Sequence, residues 1–165
     1  EGSIGEGAAG LAVNAFAELI ELASGSDPRD KPTDSLAALN SLTTEGSIAF
    51  NEKYPEGVPS AYCRNDGKKY AENGVVYFSW SGGVTLTNIL DPVDGPLTIT
   101  GLEYGEPNDG LVASCSSHLG QVLKDNYRMN HLDEVNQTLG ITSWFETSPV
   151  AVFLNHAQRL KRHGL

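Results

Sequence analysis

Between residues 68 and 80 the hydrophobic pattern changes period, which argues against both an all-helical and an all-β fold. Upstream, Leu11, Ala12, Ala15, Phe16, Leu19, Ile20 and Ala23 fall on one face of a helix, with Asn14, Glu18 and Glu21 opposite. Gly25 stops that helix, and shorter helices are expected over 34–42 and 45–54, the second ended by Pro55. Downstream, Val75, Val76, Tyr77, Phe78 and Trp80 are strand formers, and Asn73-Gly74 favours a type I′ turn. A hairpin is therefore expected over 68–80. A short strand is expected over 97–104 before the turn 108–110, then helical pieces near 117–123 and 132–139. Ser148 as N-cap and Pro149 at the first helical position open a last helix to Arg162. Its closing Arg159, Lys161 and Arg162 complement the negative end of the helix dipole. The class is α/β.

With 165 residues the chain has the size of one domain able to bury a core. The 11 Lys and Arg against 21 Asp and Glu give a net charge of −10, which repels phosphate backbones and anionic membranes. Nucleic acid is therefore disfavoured as a partner, while excess carboxylates suit capture of a hard cation. No stretch approaches the roughly 20 apolar residues of a transmembrane helix. The opening Glu1-Gly2-Ser3, without Met or signal peptide, reads as a processed or excised piece. Cys63 and Cys115 would pair in an exported protein and stay thiols in the cytosol; composition leaves both open.

Several motifs compete. Gly5-Glu6-Gly7-Ala8-Ala9-Gly10 matches a dinucleotide fingerprint, but only four residues precede it here and Asp27 and Asp30 lie in a Pro-containing loop. A glycine-rich helix entry explains it better. Asp91-Pro92-Val93-Asp94-Gly95 lacks the alternating ligands and closing glutamate of an EF-hand and reads as a turn. The informative stretch begins at Asn108-Asp109-Gly110, an acid on a tight turn, and reaches His131 in a loop before Leu132-Asp133-Glu134. Acid before histidine is the chain order of α/β-hydrolases, whose serine comes first.

Asn108-Asp109-Gly110-Leu111-Val112, Cys115-Ser116-Ser117-His118-Leu119-Gly120 and the run from Asn126 through His131 and Asp133 to Gln137 resemble the Pseudomonas and Burkholderia type of secreted triacylglycerol lipase. Phe50-Asn51-Glu52-Lys53-Tyr54-Pro55, Tyr77-Phe78-Ser79-Trp80-Ser81-Gly82, Leu90-Asp91-Pro92 and His156-Ala157-Gln158-Arg159-Leu160-Lys161 are similar in order and spacing, so the likeness covers essentially the whole chain. It implies that residues 1–165 are the C-terminal portion of one α/β-hydrolase domain, with the lid over 4–24. It implies Asp109 as the triad acid and His131 as the general base. It further implies a structural calcium held by carboxylates of Asp91 and Asp133 and by backbone carbonyls of Gln137 and Ile141. It implies a Cys63–Cys115 disulfide, whose closed loop of about 50 residues stabilises by roughly 4 kcal/mol in the chain-entropy model. Export through the periplasm, a membrane-bound foldase chaperone and a lipid substrate at an oil–water interface belong to the same implication.

One departure is large. A nucleophile elbow needs Gly-x-Ser-x-Gly, and no serine here has glycine both two before and two after; Ser81 comes nearest. In the family the serine and the oxyanion segment lie in the N-terminal part, so this chain is expected to be inactive alone and to need that part as a partner. Two other readings remain: a non-catalytic, calcium-stabilised secreted binding module, and a cysteine hydrolase using Cys115 with His131.

Overall fold

The structure, a computed structural model, describes residues 43–165, and the chain divides into compact units between Pro55 and Glu56. The expected helices over 4–24 and 34–42 and the glycine-rich run 5–10 lie outside the described residues. In the first unit α1 (Thr44–Lys53) occupies the place where a helix is expected. Thr43 caps it by accepting the Gly46 N–H at 3.0 Å, and the rings of Phe50 and Tyr54 meet at 4.9 Å.

The second unit is built on two parallel strands, β1 (Phe78–Gly82) and β2 (Gln121–Tyr127). Phe78 is opposite Gln121 and Gly82 opposite Tyr127, with irregularities on either side of Trp80. Parallel pairing needs a long crossover, and residues 83–120 supply it. That crossover carries α2 (Asp94–Gly101) and a 3₁₀ turn, Ser114–Ser117. After β2 come two 3₁₀ turns and α3 (Pro149–Arg162), capped by Ser148 as expected. α3 lays Phe153 and His156 against Trp80, at 5.5 and 4.8 Å between ring centroids.

The structure corrects four expectations. Residues 97–104 are mostly the helix α2, although Thr98, Ile99 and Thr100 are β-branched. Asp94 begins that helix, Pro96 sits in its first turn where proline is tolerated, and Thr100 Oγ1 caps the Gly110 carbonyl at 2.6 Å. Residues 117–123 are not helical. Ser117 ends a 3₁₀ turn, and β2 begins at Gln121 because Gly120, at φ 59°, lets the chain turn against the Tyr77 carbonyl. The expected helix over 132–139 is broken into the 3₁₀ turns Asp133–Val135 and Thr138–Gly140 by Asn136 and Leu139, both at positive φ. The hairpin is reduced to a Tyr70–Val76 bridge. Its turn, closed from Gly74 N–H to the Ala71 carbonyl at 3.1 Å, has positive φ at Gly74 and not at Asn73, so it is not type I′.

Few apolar side chains are buried among the described residues: Leu97, Ala113, Met129, Pro149 and Val152. Asn88, Asp91, Asp94, Asn108, Asp109, Ser114, Asn130 and Asp133 are buried beside them. Hydrogen bonds therefore organise this interior as much as apolar packing does.

Candidate active site

Asp109 stands on the loop after α2, behind a local lock. Its Oδ1 accepts the N–H groups of Leu111 at 2.9 Å and Val112 at 2.7 Å. Gly110, at φ 102°, makes that turn possible, and a Cβ there would press on Leu97. With Oδ1 engaged, Oδ2 is left to meet His131 Nδ1, at 2.7 Å. The two residues are tied a second time through the His131 N–H and the Asp109 carbonyl, at 2.9 Å.

Because a carboxylate only accepts, Nδ1 carries the proton in this pair and Nε2 presents its lone pair. No partner meets Nε2 among the described residues, and the ring is about a third exposed against 4% for the Asp109 side chain. The hydrogen bond to Asp109 raises the His131 pKa; burial works against it, and the charges of Asp109 and Glu134 add to the rise. The arrangement can take a proton at Nε2 and stabilise the imidazolium that results.

Glu134 is a neighbour that sequence reasoning missed. Its Oε1 accepts the Gly82 N–H at 2.5 Å. Burial chiefly, and then the charge of Asp109, push its carboxyl up to about 7 against the pull of Gly82 and His131. Its place three residues after His131, one helical turn on, is the signal that could have found it.

Asp91 and Asp133 are both buried, and each leaves one oxygen orphaned: Asp91 Oδ2 and Asp133 Oδ1 have no hydrogen-bond partner. Their other oxygens accept the N–H groups of Val93 at 3.0 Å and Asn130 at 3.2 Å. Burial raises both pKa values, against the pull of the Val93 N–H on Asp91 and of the Thr87 side chain and Asn130 N–H on Asp133. The charges of Asp91 and Asp94 add to the rise at Asp133. Orphaned buried carboxylate oxygens are costly unless a proton or cation satisfies them, so the donor set fits a hard cation. Gln137 lies just beyond left-handed Asn136, its N–H closing on the Leu132 carbonyl at 2.9 Å, and Ile141 follows Gly140 after the second 3₁₀ turn. No group of three or more His, Cys, Asp or Glu side chains gathers for a metal among the described residues. A site of two carboxylates and two carbonyls does not require one.

Cys63 and Cys115 are bonded, with Cα atoms 4.5 Å apart. Cys115 thus offers no thiolate, and the cysteine-hydrolase reading falls. His118, in the turn beside it, bridges the Arg64 carbonyl at 2.9 Å and Asp125 at 3.0 Å, a structural post between the disulfide and β2.

No protein-family profile matches the chain. It is similar to a protein named triacylglycerol lipase from Vibrio cholerae, 54% identical over 164 residues, which are 99% of this chain and 51% of that protein. A triacylglycerol lipase of Pseudomonas fragi is 38% identical over 174 residues, covering 99% of this chain and 57% of its own length. One of Burkholderia plantarii is 33% identical over 183 residues, covering 93% and 49% respectively. The chain is a homologue of bacterial triacylglycerol lipases of the Pseudomonas and Burkholderia type, and it spans about half the length of the relatives it matches.

Proposed function

We propose that this chain is the C-terminal portion of a secreted triacylglycerol lipase with the α/β-hydrolase fold, supplying the acid and base of a serine triad. The observation that carries the reading is the 2.7 Å bond from His131 to a buried, doubly anchored Asp109, in a chain homologous to lipases. His131 Nε2 takes the proton of a serine hydroxyl as that oxygen attacks an ester carbonyl, then returns it to the leaving alcohol. Asp109 holds the tautomer and lowers the energy of the imidazolium.

The serine is supplied by an N-terminal segment with Gly-x-Ser-x-Gly on a strand-to-helix turn. β1 and β2 pair only with each other among the described residues, and the parallel sheet of such a fold extends by further strands. Calcium, held by Asp91 and Asp133 with the carbonyls of Gln137 and Ile141, would supply fixed positive charge between the two buried carboxylates. Asp133 lies two residues beyond His131, so its position bears directly on the base. No described helix is long and apolar enough to cross a membrane. The substrate is a lipid met at an oil–water interface, with the segment 4–24 as lid and a foldase chaperone assisting export.

The test uses the complete polypeptide. A fluorophosphonate should label a serine outside residues 1–165, and His131→Ala should abolish labelling and triacylglycerol hydrolysis together. Labelling within 1–165, or full activity in His131→Ala, overturns the reading.

A further inference from the structure

Asn130 precedes His131 and is wholly buried. A buried carboxamide is costly unless its polar atoms are satisfied, and here both side-chain ends are bonded. Nδ2 donates to Asp94 Oδ1 at 2.6 Å, while Oδ1 accepts the N–H groups of Leu132 and Asp133, each at 2.9 Å. The main chain of Asn130 adds its N–H to Asp133 Oδ2 at 3.2 Å and its carbonyl to the Glu134 N–H at 3.2 Å. Asp94 is itself fixed, its Oδ2 accepting the N–H groups of Thr87 at 2.7 Å and Asn88 at 2.8 Å.

His131 therefore lies between residues pinned on both sides, and every one of these bonds is direct from protein to protein. Asp109 fixes the tautomer, but a single bond to Nδ1 leaves the ring free to swing about that oxygen. The height and direction of Nε2 follow from where the loop places the His131 Cα. Among the described residues, two sets of bonds place it: the His131 N–H to the Asp109 carbonyl at 2.9 Å, and those that run through Asn130 to Asp94 and from there to the main chain at 87–88.

We propose that Asn130, anchored on Asp94, is a positioning residue for His131, aiming its Nε2 through the loop that the two share. This rests on the reading of His131 as general base. The Asn130–Asp94 clamp can be reversed without changing its outline. Asn130→Asp alone sets a carboxylate oxygen against that of Asp94, and Asp94→Asn alone sets two amide groups facing each other. Together they restore the pair. The new carboxamide at position 94 keeps an oxygen for Thr87 and Asn88 and donates across, and the new carboxylate at 130 still accepts from Leu132 and Asp133.

The experiment measures kcat and KM for ester hydrolysis, with thermal unfolding alongside, in the complete calcium-saturated protein. The variants are N130D, D94N, the double variant and H131A. Misplacing a catalytic group by about 1 Å costs on the order of a hundredfold, so each single variant should lose roughly ten- to a hundredfold in kcat with KM little changed. The double variant should recover most of that loss. N130D at wild-type kcat with H131A inactive overturns the clamp and leaves the lipase reading standing. A folded double variant as slow as the single ones does the same. An active H131A removes both.

Discussion

Glu146 gives the sharpest quantitative test of the electrostatics of this fold. Burial alone would push its carboxyl up, but the N–H groups of Arg128 and Thr147 and the Lys124 ammonium outweigh it and hold the pKa at about 2. The bonds are short: 2.9 Å from Arg128, 2.7 Å from Thr147 and 3.0 Å from Lys124. A fall from the ordinary 4.5 to about 2 corresponds to roughly 3 kcal/mol at about 1.4 kcal/mol per pKa unit. The Glu146 side chain is 12% exposed but that of Lys124 is 36% exposed, so solvent screening brings the expected value to about 1–2 kcal/mol. The folded pKa is depressed, so this stability is complete above the unfolded pKa near 4.5 and is lost as pH falls through about 2. Glu146→Gln removes the titration and should destabilise the complete protein by about 1–2 kcal/mol at pH 7. At pH 3, with the unfolded carboxyl mostly protonated, more than roughly half of that difference should be gone. Urea unfolding of both proteins at the two pH values measures it. An equal gap at pH 7 and pH 3, or none at pH 7, refutes the assignment of this stability to the ionised carboxylate.

Asp109→Asn in the complete protein should leave the fold intact and lower kcat on the order of a thousandfold or more, measured on a soluble ester, because the imidazole loses its tautomer. Removing calcium with a chelator should lower the melting temperature and the activity together, and Asp91→Asn with Asp133→Asn should be insensitive to the same chelator. Gly120→Ala should cost more than about 2 kcal/mol in urea unfolding, since a Cβ there would overlap the Tyr77 carbonyl and the left-handed φ penalises any side chain.

The sequence exposes what is encoded locally. Ser148 and Pro149 announce α3 because a cap and a fixed φ act within one turn. The nearness of Asp109 and His131 was legible through resemblance and chain order, without any contact between them being visible. The misread segments are those decided at a distance. Residues 121–123 look helical until β1 is laid beside them, for parallel pairing is a bond between segments far apart. The β-branched run in α2 becomes helical because Asp94, at its start, is held by N–H groups from Thr87 and Asn88. Glu134 and Asn130 were invisible for the same reason: their bonding is set by Gly82 and Asp94, which only the fold brings near.

The parallel pair also fixes an order of events in folding. Asp91, Asp94 and Asp109 all lie on the crossover between β1 and β2, and His131 follows β2 directly, so the site closes only when the strands meet. Closing a loop of about 40 residues is a slow, non-local step. The Cys63–Cys115 bond, with a sequence separation of 52, joins the chain 15 residues ahead of β1 to the chain 6 residues ahead of β2. Formed first, it shortens the path between β1 and β2 to about half, a saving of about 0.6 kcal/mol in loop entropy and roughly threefold in the rate of pairing. On this account an oxidised chain reaches its Asp109–His131 geometry sooner than a reduced one, before any gain in equilibrium stability is counted.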